Sequence, residues 1–76
     1  MLGYIYRLIH GFEQEHGIQP NLLYLNHLHS EHLKAAFDEN YSLGQIMTML
    51  QMEMVIDTEV MHPRVAWAQS AQRMAS

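Results

Sequence analysis

The centre of the predicted fold is residues 21–26, which have the sequence NLLYLN. Four consecutive apolar residues, Leu22 to Leu25, lie between two asparagines. Such a run is too short for a helix and is typical of a strand that is buried on both faces. Asn26 also favours the start of a helix, because its side-chain oxygen can accept a hydrogen bond from a free backbone N–H of the first turn. The stretch therefore predicts a first strand that leads directly into a helix.

The segment before this strand predicts an amphipathic helix over residues 2–16. Its apolar residues recur at intervals of three and four, which is the spacing of one helix face: Leu2, Ile5, Leu8, Ile9 and Phe12. Gly17 can adopt the left-handed conformation that ends a helix, and Pro20 prevents the helix from continuing.

Two further helices are predicted after the strand. The helix that starts after Asn26 is expected to run to about residue 38, with an apolar side formed by Leu28, Leu33, Ala35, Ala36 and Phe37. Ser42 is followed three residues later by Gln45, which is the pattern of a capping box and predicts a short third helix through Leu50.

The remaining segments predict two more strands. From Met52 the hydrophobic period changes to two, so that Met52, Met54 and Ile56 share one face. Residues 64–69 alternate again and are expected to return antiparallel beside this second strand, as its hairpin partner. The helices between the first and second strands favour a parallel pairing of those two strands.

These elements predict an α+β fold with one domain over residues 1–69. The order is helix-strand-helix-helix-strand-strand, which gives a three-stranded mixed sheet with helices packed on it. Residues 70–76 carry no pattern and are expected to form a frayed C-terminal tail.

Composition excludes several classes of function. The net charge of −4 has the wrong sign for binding nucleic-acid phosphates, and no apolar run is long enough to span a membrane. The chain has no cysteine, which excludes disulfides and thiolate chemistry. Residues 1–10 lack the basic region and cleavage site of a secretory signal, so a cytoplasmic protein is expected. Neither nucleic acid nor a membrane is a predicted partner.

Histidines are concentrated in residues 27–32, which contain His27, His29 and His32. A helical wheel places His29 and His32 on the apolar side of the second helix, and two imidazoles at this spacing could supply two ligands to zinc. Further ligands would have to come from other parts of the chain, and the candidates are His16, His62, Asp57 and Glu59. The alternative is that these histidines are half-buried packing groups whose ring nitrogens bond to the backbone. We favour packing, and predict no metal or cofactor.

The sequence predicts no catalytic residue. Ser30 lies beside two histidines, but the glycines of a nucleophile elbow are missing. The chain is also rich in methionine, and Met47, Met52 and Met54 are expected to fill the core, while Met49 faces outward. An adaptable binding surface is the alternative interpretation of these methionines.

Hydrophobic residues make up 49% of the chain and charged residues only 16%, so apolar surface is expected to remain after the core is filled. We therefore expect a non-enzymatic protein-association module. It would be a homodimer, formed by pairing of exposed sheet edges, or an accessory subunit of a larger assembly.

Overall fold

The computed structural model describes residues 1–69, and its elements follow the predicted order. They are α1 (Leu2–His16), β1 (Leu22–Leu25), α2 (His27–Ala35), α3 (Leu43–Leu50), β2 (Glu53–Ile56) and β3 (Arg64–Ala66). The predicted α+β class with a three-stranded mixed sheet is confirmed. The predicted tail over residues 70–76 lies outside the described residues.

Local signals set the helix ends. Gly17 ends α1 with a left-handed φ of 74°, and its N–H donates to the Glu13 carbonyl at 2.7 Å. Asn26 caps α2, and Ser42 caps α3 with a reciprocal pair of hydrogen bonds to Gln45. Each of these ends lies where the sequence predicts it, because a cap depends only on residues one turn apart.

The face of α2 that packs inward differs from the prediction. Leu28 is 64% exposed and Ala35 and Ala36 are also exposed, whereas Ser30 and Leu33 are buried. Ser30 tolerates burial because its hydroxyl donates to the His27 carbonyl at 2.8 Å, so its polar atom is satisfied within the helix. The predicted inward positions of Leu28, Ala35 and Ala36 are therefore wrong, whereas the inward position of Leu33 is confirmed.

The helix is also shorter than expected and ends at Ala35 instead of residue 38. The Ala36 and Phe37 amides donate to carbonyls three residues back, Leu33 and Lys34, at 3.1 Å each. These bonds tighten the last turn and satisfy carbonyls that the helix itself leaves free.

The strand order is β2-β1-β3, so β1 lies in the centre. The predicted parallel pairing of β1 with β2 is confirmed, and Leu23 is aligned with Met54. The predicted hairpin between β2 and β3 is wrong, because β3 pairs antiparallel with β1. The loop after β2 crosses the end of β1, where the side-chain amide of Asn26 donates to the Val60 carbonyl at 3.1 Å.

The central position of β1 follows from its composition. All four of its side chains are apolar or aromatic, and three of them, Leu22, Leu23 and Leu25, are buried. A hairpin of β2 and β3 would have left this strand at an edge with one side of its backbone open. Placing β1 between the other two strands covers both sides.

The hydrophobic core lies between one face of the sheet and the three helices. Leu23 and Leu25 of β1 form one cluster with Ile5 of α1, Leu33 of α2 and Ile46 of α3. All three helices therefore pack on the face that carries Leu23 and Leu25. The register places Met54, Ile56 and Val65 on this same face. Alternation along each strand places the other side chains on the opposite face, namely Leu22, Tyr24, Glu53, Val55, Arg64 and Ala66.

Candidate functional site

The outer side of β2 presents backbone hydrogen-bonding groups that no other strand of residues 1–69 uses. The amides of Glu53 and Asp57 donate to the carbonyls of Asn21 and Leu25, at 2.8 Å each, so they point towards β1. Successive residues of a strand point their backbone groups in opposite directions. Met54 and Ile56 lie between Glu53 and Asp57, and their N–H and C=O groups therefore point away from the sheet. Another chain could pair with these groups.

The side chains near this edge combine apolar area with negative charge. Ile56, at the end of β2, is 38% exposed. Residues 52–63 contain three carboxylates, Glu53, Asp57 and Glu59, and no lysine or arginine. Glu53 and Asp57 lie on either side of the three apolar residues of β2, so the open edge is bordered by negative charge at both ends.

Asp57 also ends the strand. Its carboxylate accepts a hydrogen bond from the Glu59 N–H at 3.0 Å, which turns the chain away from the line of β2. The open edge is thus short, since Asp57 turns the chain at one end and the left-handed residue Gln51, with φ 60°, turns it at the other.

The opposite edge of the sheet is more protected. β3 has only three residues and follows the buried Pro63, and short edge strands with proline resist pairing with another chain. Arg64 extends over the Tyr24 ring, with its guanidinium carbon 5.0 Å from the ring centre. Beyond β3 the chain is held by Asn21, whose side chain accepts from the Ala68 N–H and donates to the Ala68 carbonyl, both at 2.9 Å.

Two asparagines form hydrogen bonds that their sequence positions alone do not predict. Asn21 connects all three strands: its carbonyl accepts from Glu53, its N–H donates to Ala66, and its side chain holds Ala68. Asn26 caps α2 and also holds the loop that reaches β3. The available signal was that each is a polar residue at the end of a buried apolar strand, where backbone groups of neighbouring segments need partners.

The structure separates the histidines that the sequence groups together. The Nδ1 atom of His29 accepts from the Asn26 N–H at 3.2 Å, which confirms a ring nitrogen bonded to the backbone. His32 is exposed, so its predicted half-buried position is wrong. His16 is exposed and its ring lies against Phe12, with the ring centres 4.3 Å apart. Among residues 1–69 no three His, Asp or Glu side chains are placed to hold one metal ion.

Ser30 does not form a nucleophile-base pair. Its hydroxyl donates to the His27 carbonyl and its side chain is buried, so within the described chain it is engaged with backbone instead of an imidazole. This contact gives Ser30 a structural role in the first turns of α2.

The methionines divide as predicted between core and surface. Met47 and Met52 are 6% and 7% exposed, and Met54 packs partly buried against the core. Met49 is 52% exposed and, with Tyr6 and Ile9, lines a shallow groove between α1 and α3.

No protein-family model, curated protein or solved structure matches the chain. None of the helices in residues 1–69 has the length and apolar character needed to cross a membrane.

Proposed function

We propose that the protein is a non-enzymatic association module that binds other polypeptide through the open edge of β2. The observation that carries this proposal is the outward orientation of the N–H and C=O groups of Met54 and Ile56. The bound chain is a second copy, which gives a homodimer, or a strand of a larger assembly in which this protein is an accessory subunit. The cytoplasmic location expected from the sequence remains part of the proposal.

The physical basis is strand addition. An extended chain placed beside β2 gains hydrogen bonds to two N–H and two C=O groups, and main-chain bonds of this kind supply affinity in edge-binding modules. The Ile56 side chain at the end of β2, exposed at 38%, adds apolar area that such a partner would remove from water. A histidine metal function has no converging ligand set among residues 1–69 to support it, and we do not propose one.

The proposal is tested by blocking the edge without breaking the sheet. Ile56→Pro removes an outward N–H, and proline is tolerated on an edge strand when its missing N–H faces solvent. Ile56→Val keeps the N–H and is the matched control. We expect the wild type and Ile56→Val to pair with a second copy or with a synthetic strand-forming peptide, and Ile56→Pro to pair with neither.

Two measurements decide the outcome. Sedimentation velocity of the full chain gives its oligomeric state, and amide hydrogen exchange by NMR reports protection at Met54 and Ile56 upon pairing. Circular dichroism confirms that each variant is folded. The proposal is refuted if the wild type stays monomeric and these two amides remain unprotected with every peptide supplied.

A further inference from the structure

We propose, on the basis of the proposed function, that the β2 edge takes an extended segment of another protein in preference to a second copy of itself. The segment carries Lys or Arg at both ends of a short apolar stretch. The inference comes from the position of the carboxylates relative to the outward backbone groups of β2.

Symmetric self-pairing places like charges opposite one another. Two copies of β2 related by a two-fold axis run antiparallel, and residues that face each other lie on the same side of the sheet. Hydrogen bonds between the two copies can form only through the outward N–H and C=O groups of Met54 and Ile56. The register in which both residues form such bonds pairs Met54 with Ile56 of the second copy. Glu53 then faces Asp57 of the second copy, and this happens twice in the dimer. Like charges directly opposite destabilise an antiparallel pair.

Shifted registers do not relieve the problem. Centring the pair on Ile56 would pair Met54 with Thr58 of the second copy, but Thr58 lies in the turn that the Val60 N–H closes on the Asp57 carbonyl, so only one outward residue per copy, Ile56, can form the pair. Centring it on Met54 would pair Met52 with Ile56 of the second copy, but the Met52 N–H already donates to the Met47 carbonyl at 3.1 Å, so only Met54 can form the pair. The charges at the two ends of β2 therefore act against self-pairing, a recognised protection of sheet edges.

The same charges favour a basic partner. An antiparallel segment with five residues beside β2 has its two end residues opposite Glu53 and Asp57, where directly opposed side chains interact. Lys or Arg at those two positions forms an opposite-charge pair at each end of the segment. Three residues of high strand propensity between them lie opposite Met54, Val55 and Ile56. The net charge of −4 also favours the approach of a basic segment.

The test compares two synthetic pentapeptides that differ only in charge. One is acetyl-Lys-Val-Thr-Val-Lys-amide, and its matched control has Glu in place of both Lys residues. Each is titrated into the full isotope-labelled chain, and the amide shifts of Met54 and Ile56 are followed by NMR. We expect the basic peptide to bind on the order of tenfold more tightly than the acidic one, since two attractive pairs replace two repulsive ones. Added salt should narrow this difference.

A charge reversal in the protein completes the experiment. Glu53→Lys is expected to narrow or invert the preference for the basic peptide, whereas Glu39→Lys, with the same charge change at an exposed site between α2 and α3, should leave it unchanged. Equal affinity for both peptides, or a wild-type dimer that Ile56→Pro abolishes, overturns this inference but leaves the association function intact. Absence of any protection at Met54 and Ile56 overturns both.

Discussion

Substitution of Asn26 tests how one side chain stabilises two segments of the chain. Its oxygen accepts from the His29 N–H at 2.8 Å, and its amide nitrogen donates to the Val60 carbonyl at 3.1 Å. Loss of an N-cap destabilises by about 1 kcal/mol, and loss of a further partly buried hydrogen bond by about 1 kcal/mol. Asn26→Ala removes both and should lower the free energy of unfolding by about 2 kcal/mol, or Tm by roughly 8–16 °C for a domain of this size.

Asn26→Ser separates the two contributions. Serine is a good N-cap, so the bond to His29 is kept, but its short side chain does not reach Val60. We expect this variant to lose about 1 kcal/mol, half the effect of alanine. Urea unfolding followed by far-ultraviolet circular dichroism measures both values at an unchanged m-value. If Asn26→Ala stays within about 0.5 kcal/mol of the wild type, or if Ser and Ala are equally destabilising, the double role of Asn26 is refuted.

Two further predictions use the same unfolding measurement with matched substitutions. Gly17→Ala should destabilise by about 1 kcal/mol, because φ is 74° at this position. Gly11→Ala should stabilise by roughly 0.5–1 kcal/mol, because Gly11 lies in the interior of α1 with open space around it. A stability change of the same sign for both variants would contradict the cap assignment. Leu33→Ala should cost about 2–5 kcal/mol and Leu28→Ala less than about 1 kcal/mol, and a reversed order would show that α2 packs on its other side.

Local residues made the helices predictable. The ends at Gly17, Asn26 and Ser42 depend on bonds within one turn, so the sequence contains all the information they require. The inward face of α2 was harder to predict, because its few apolar residues indicate a side that includes Leu28, whereas the buried residues are Leu33 and Ser30, whose hydroxyl bonds to the His27 carbonyl. A helix with a weakly defined apolar side takes its orientation from the sheet it packs on.

The strand order could not be predicted from local residues in the same way. A hairpin is the simplest partner for residues 64–69, but the apolar content of β1 makes the central position more favourable, and this is a comparison between distant segments. The candidate site was equally hard to predict, because it depends on the strand order. Glu53 and Asp57 are visible in the sequence, but the open side of β2 is known only once β3 is placed against β1.

The central position of β1 also has a kinetic consequence. Leu22 pairs with Glu53 on one side and with Ala66 on the other, so no two strands of the sheet are joined by a tight turn. Each pairing requires closure of a long loop before any ladder hydrogen bond forms, which slows folding relative to a helical protein of the same size. During synthesis, β1 is made long before β3 and stays unpaired on the side that β3 later occupies. Over that interval one whole side of its backbone is open, and the sheet is complete only when Arg64–Ala66 arrive.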